Sequence, residues 1–161
     1  MLKIVCSTVD ITPTNPVYLR GHAMRKDKSK GVHDNLEAVI CWLMVDNTLN
    51  LFINGDVSNW DYAFVHEFKE SINKQFGVDL NHIVLSATHT HSGPVLSTVD
   101  KELPHDENYR QDVMKKLIDG ATSIYGKEQL VKKVVYSNGL SNGFYGNRNG
   151  KDKYGDQNIY V

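Results

Sequence analysis

Two stretches of helical period enclose a short β-prone run, and this order narrows the fold more than any other feature of the chain. Trp60, Phe64, Val65, Phe68, Ile72 and Phe76 recur at three- and four-residue spacing before Gly77. Tyr109, Val113, Met114, Leu117, Ile118, Ala121 and Tyr125 repeat the pattern before Gly126. Each set marks the apolar face of a helix, and each glycine suits a helix end. Between them, residues 82 to 87 include the apolar run Ile83-Val84-Leu85-Ser86-Ala87, which has the length of a strand rather than a helix. A strand between two helices requires crossover connections, and crossovers require a sheet with parallel pairs packed against helices.

The flanking segments add strands. Residues 2 to 9 read as one, ending at Asp10-Ile11-Thr12-Pro13, after which Asn15-Pro16 keeps the chain irregular. Residues 36 to 45 and 48 to 54 are apolar and β-rich, and Asp46-Asn47 between them makes a two-residue hairpin turn, so this pair should be antiparallel. Residues 131 to 137 read as a further strand. Ser58 is placed to cap the first helix, with Asp61 three residues on. The expected fold class is α/β, a mixed sheet with helical crossovers packed against it.

At 161 residues the chain fits one domain and buries roughly two-thirds of its unfolded surface. Cys6 and Cys41 both lie in apolar strand-like stretches. They read as two buried thiols in a reducing compartment, with a bond between them as the alternative. The start, Met1-Leu2-Lys3-Ile4-Val5, shows no apolar core or cleavage site of a secretory signal. The longest apolar stretch, Ala38 to Val45, falls far short of the ~20 residues of a membrane span. A soluble, cytoplasmic protein is the expectation. With 18 basic and 19 acidic residues the formal net charge is −1, which offers no broad attraction for nucleic acid or anionic lipid. The basic segment Arg25-Lys26-Asp27-Lys28-Ser29-Lys30 has no interleaved aromatics and reads as a solvated loop. Residues 137 to 157 are rich in Gly, Asn and Lys, and Asn158-Ile159-Tyr160-Val161 then turns apolar. The chain therefore reads as the front portion, residues 1–161, of a larger α/β domain.

In sheets of this kind, sites gather beyond the carboxyl ends of the strands. Directly after Ile83–Ala87 comes Thr88-His89-Thr90-His91-Ser92-Gly93-Pro94. In an extended backbone His89 and His91 would share a face, with Thr88, Thr90 and Ser92 on the other. Two neutral imidazoles so placed suit one ion, zinc above all, or one substrate. A His-x-His pair also fits plain solvent exposure. Catalytic zinc takes three protein ligands and an open position for water. His33, Asp34, Asp56, His22 and His105 are the further candidates within the chain. Asp56 also fits a helix-entry acid, and His22 and His105 fit solvated loops. His66 and His82 read as surface positions, and Ser58 as a cap rather than a nucleophile. Arg148, in Gly146-Asn147-Arg148-Asn149, could hold a carboxylate or carbonyl oxygen, or be merely solvated.

Taken together, five segments resemble the neutral (alkaline, non-lysosomal) ceramidases in the N-terminal part of their catalytic domain. They are Asp10-Ile11-Thr12-Pro13, Gly31-Val32-His33-Asp34-Asn35-Leu36, Gly55-Asp56, Ser86-Ala87-Thr88-His89-Thr90-His91-Ser92-Gly93-Pro94 and Asn147-Arg148. The histidine segment is the specific one. The resemblance implies a zinc-dependent amide hydrolase in which water activated at the metal attacks an N-acyl amide. It implies His89 as a zinc ligand, His91 as a contact to the substrate or its developing oxyanion, and Arg148 as a substrate contact. His33, and Asp56 in a supporting place, would belong to the wall of the site.

The same resemblance places the family's other zinc ligands, a His, a Glu and a Tyr, later in the sequence than Val161. Its Gly-Asp-Val-Ser-Pro-Asn loop also lies after the histidine segment, whereas Asn54-Gly55-Asp56-Val57-Ser58 lies before it. Ser58 therefore inherits no role. One zinc ion with ligands from outside these residues is expected, with a small-molecule amide or lipid as substrate. The remainder of the same protein, or a second copy, would be its protein partner. Two alternatives stand beside this reading. One is a non-catalytic binding or assembly module that keeps the scaffold. The other is an unrelated metal hydrolase with His33, Asp56, His89 and His91 on one ion.

Overall fold

The structure is a computed structural model that describes residues 1–22, 24–140 and 158–160. It comprises two compact units, Met1–Leu130 and Val131–Val161. In the first unit, β1 (Leu2–Asp10), β2 (Glu37–Val45), β3 (Thr48–Gly55), β4 (Ile83–Ala87) and β5 (Gln129–Leu130) form one sheet in the order β4-β3-β2-β1-β5. Only β3 and β4 run parallel, and the crossover between them is α1 (Tyr62–Phe76) followed by a single 3₁₀ turn. The second helix, α2 (Glu107–Ile124), lies between β4 and β5. The sheet is mixed, with helical crossovers packed against it, as the order of patterns predicts.

The hairpin between β2 and β3 turns on Asp46 and Asn47, both with positive φ, 45° and 71°. Such a turn matches the twist of the strands, and Asp and Asn tolerate it. Gly77 ends α1 in the left-handed conformation, φ 68°, and donates its N–H to the Asn73 carbonyl.

One face of the sheet takes both helices. Ala38, Ile40 and Trp42 of β2 and Leu51 and Ile53 of β3 are buried there with Phe64, Phe68 and Ile72 of α1 and Val113, Leu117 and Ala121 of α2. These helix residues belong to the two stripes that the 3.6-residue period selects. On the opposite face Ile4, Val39, Phe52 and Val84 are exposed among the described residues. The two helices are joined by Arg110, buried over the Phe64 ring and paired with Glu67 at 3.2 Å.

Three expectations are corrected. Asp61, not Ser58, caps α1, accepting the N–H of Phe64 at 2.7 Å. The helix therefore starts at Tyr62, after Trp60, whose ring stacks on Phe64 and donates its indole N–H to the Ser86 carbonyl. Residues 131 to 137 form no strand; only Gln129 and Leu130 pair, with Ile4 and Lys3. In that register residue 131 would face Leu2, the first residue of β1, so the ladder has almost nothing left to bind. Cys6 is exposed and Cys41 half-buried, because both lie on the face without helices. In the second unit, β6 (Asn138–Leu140) and β7 (Asn158–Tyr160) pair antiparallel.

Candidate functional site

The parallel pair β3 and β4 brings Gly55 level with Ala87, so the segments leaving both carboxyl ends travel together. Thr88 donates its N–H to the Gly55 carbonyl at 3.0 Å. Asp56, next along from Gly55, is fixed to the start of β2: its N–H binds the Glu37 carbonyl at 2.8 Å and its carboxylate accepts the Glu37 N–H at 3.1 Å. It is a structural brace at the strand ends as well as a wall residue.

The strand stops at Ala87, and the turn after it is not extended. His89 has φ 59°, a left-handed backbone that costs most side chains about 1 kcal/mol. The alternation that would put His89 and His91 on one face therefore does not operate. The rings are still neighbours, with centroids 5.2 Å apart and planes at 73°. The Nδ1 of His89 lies 2.6 Å from the Ser58 carbonyl oxygen. A carbonyl can only accept, so Nδ1 carries the proton and Nε2 keeps its lone pair.

Residues 18–22, 24 and 25 form a strap that holds this turn from outside. Arg20 donates its N–H to the Gly93 carbonyl and Val95 donates to that of Tyr18, both at 2.9 Å. The Arg25 guanidinium donates to the His91 carbonyl at 3.1 Å. Gly21, at φ 112°, passes so close that a Cβ there would lie 2.3 Å from that of His91. His22 meets the His91 ring edge-on at 6.1 Å between centroids. The sequence reads Arg25–Lys30 as a solvated basic loop and His22 as a solvated loop position, yet Arg25 and His22 both reach His91; the available signal is the lone glycine between Arg20 and His22.

A cavity of about 760 Å³ lies beside the turn, lined by Thr12, Leu19, His33, Asp56, Thr90 and Ser92 among others. Of the histidine turn Thr90 and Ser92 line it, and neither His89 nor His91 does. His33 stands in its wall, exposed, and the hydrogen bond and charge of Asp34 at 2.7 Å raise its pKa above the ordinary histidine value. His105 pairs with Glu107, His66 with Glu70, and His82 with the Asn50 side chain, all away from the turn. Arg148 lies outside the described residues. Among the described residues no three His, Cys, Asp or Glu side chains converge to hold a metal ion. His33, Asp56, His89 and His91 therefore do not share one.

No family model matches the chain, and no curated protein matches it. Solved structures do. The crystal structure of neutral ceramidase from Pseudomonas aeruginosa superposes with a TM-score of 0.74 at 19% identity, over 86% of this chain and 24% of that one. A ceramidase complexed with C2 gives the same TM-score and identity over 88% of this chain and 23% of that one. The chain has a ceramidase-like fold. It spans about a quarter of the length of these ceramidases, and at 19% identity the likeness is one of fold.

Whether the residues present suit a zinc ion rests on the chemistry of the donors. His89 fits: Ser58 holds its Nδ1 proton, which orients the ring and leaves Nε2 as a donor, the arrangement found around ligating histidines. His91 is a second imidazole beside it. Two imidazoles fall short of the three protein ligands of a catalytic zinc site.

Proposed function

We propose that this chain is the N-terminal part of an amide hydrolase of the neutral ceramidase kind. The observation that carries this reading is the His89 to Ser58 hydrogen bond, which presents a free Nε2 beside His91 at the carboxyl ends of the only parallel strand pair in the first unit's sheet, within a ceramidase-like fold. His89 would hold zinc, with the missing ligands supplied from beyond Val161. When bound, zinc would supply a Lewis acid that acidifies water and polarises a carbonyl.

The chain's own residues then have distinct tasks. The Ser58 carbonyl fixes the His89 tautomer. His91, held by Arg25 and by contact with Gly21, donates a hydrogen bond toward the oxygen of an N-acyl amide as it gains charge. The 760 Å³ cavity beside the turn receives part of the substrate, with His33 at its wall. Arg148 belongs to the same proposal as a substrate contact. A cytoplasmic location is also part of it, and would favour an amide other than ceramide.

The test is zinc content and N-acyl amide hydrolysis by the full-length polypeptide that carries these residues. Stoichiometric zinc and hydrolysis, both lost in His89→Ala, are expected. An intact fold with neither zinc nor activity would sink the reading. One observation favours a second reading, a binding or assembly module that retains the scaffold: the absence of a three-ligand group among the described residues. Under it, His89→Ala changes neither metal content nor assembly.

A further inference from the structure

Away from the histidine turn, the two cysteines of the chain stand opposite each other on the face of the sheet that carries no helix among the described residues. Cys6 of β1 and Cys41 of β2 are register partners in the antiparallel ladder. Their Sγ atoms are 2.8 Å apart, and both are free thiols. Directly opposed residues in such a ladder have Cα atoms about 4.5 or 5.5 Å apart, and both spacings fall inside the range that a disulfide spans. Bonding therefore needs no backbone movement. Access is unequal: Cys6 is exposed and Cys41 half-buried. Their neighbours Ile4, Val39 and Phe52 are exposed too, so a small reagent can approach from that side.

We propose that Cys6 and Cys41 are a thiol-exchange site that forms a reversible cross-strand disulfide by taking oxidising equivalents from a small-molecule disulfide such as oxidised glutathione. Cys6, as thiolate, attacks one glutathione sulfur; that S–S bond breaks, and the departing thiolate takes up the proton Cys6 gave. Cys41 then attacks Cys6 Sγ, the second glutathione leaves, and it takes up the proton of Cys41. Two protein thiols are oxidised and one small disulfide is reduced to two thiols.

The order of attack follows from the surroundings. Burial pushes the Cys41 thiol up to about 12, with the hydrogen bond and charge of Cys6 adding to it. Binding of Cys6 to glutathione removes the last two contributions, so Cys41 becomes the more competent nucleophile only once Cys6 has been captured.

The native chain is incubated with oxidised glutathione, and the remaining thiols are alkylated and counted by intact mass. Wild type should lose both alkylatable thiols through an intramolecular bond, at least about tenfold faster than the same chain in urea, because the fold holds the partners together. Cys41→Ser should accumulate a single mixed disulfide at Cys6, and Cys6→Ser should stay largely unmodified. Two thiols that stay alkylatable in the native chain would overturn the proposal, as would a bond formed no faster than in urea or one linking two chains.

Discussion

His89 is bound through Nδ1 to the Ser58 carbonyl at 2.6 Å while its own backbone sits at φ 59°, so the residue that presents Nε2 is held in a conformation it would not choose. Side-chain function and backbone strain can therefore be separated by mutation. His89→Ala and His89→Gly both remove the imidazole and its hydrogen bond, but only alanine keeps the Cβ that the left-handed region penalises. The glycine variant should be the more stable of the two by about 1 kcal/mol in urea denaturation. Both should lose whatever metal affinity His89 provides. Equal stabilities would show that the turn is not strained at this residue.

Gly21 makes a second test of the same turn. An added Cβ would meet the His91 Cβ at 2.3 Å, and φ 112° disfavours any L side chain. Gly21→Ala should cost about 2 kcal/mol and lower the thermal midpoint by several degrees. Gly31 is the control, since a Cβ there meets nothing within 4 Å. Gly31→Ala should stay within about 0.5 kcal/mol of wild type.

The scaffold could be read from the sequence because its signals are local. Asp46-Asn47, Gly77 and the two apolar stripes each specify a turn, a stop or a face within a few residues, and each holds in the structure. The histidine turn could be located, but its shape could not. The left-handed backbone of His89 goes with a side-chain bond to the Ser58 carbonyl, 31 residues earlier, and the strap reaches His91 from Arg25, 66 residues away. The partial exposure of Cys41 is hidden for a related reason. Residues 38 to 45 are apolar on both alternating positions, which marks a strand but not which of its faces is covered.

Asp61 should make stability depend on acid. Burial pushes its carboxyl up, but hydrogen bonds from the N–H groups of Thr98 and Phe64 and from the Thr98 hydroxyl, with the nearby Arg110 charge, outweigh that and hold it below the usual aspartate value. A folded-state pKa below the unfolded one gives stability that is complete above the unfolded value, about 3.9, and fades as pH falls through the folded one. Asp61→Asn keeps a cap but not the charge. It should cost about 1 kcal/mol at pH 7, and the gap to wild type should close below about pH 4 in denaturation curves taken across that range. A gap unchanged down to pH 2 would mean that the Asp61 charge contributes nothing.

Trp42 and Trp60 each donate an indole N–H to a main-chain carbonyl at 2.8 Å, yet their loss should differ. The Trp42 partner is the carbonyl of Ala121 in the last turn of α2, where helix carbonyls lack a partner within the helix. The bond is buried, and the ring also packs edge-on against Phe76 and Tyr125. Trp42→Phe leaves that carbonyl dry and unpaired and opens a gap between sheet and helix, together about 2–4 kcal/mol. Trp60 binds Ser86 at the exposed edge strand β4, where water can replace the indole. Trp60→Phe should cost about 1 kcal/mol. Urea denaturation followed by circular dichroism separates the two. Equal costs would mean that the burial of the Ala121 carbonyl, and with it the sheet-to-α2 joint, is not what makes Trp42 the more important indole.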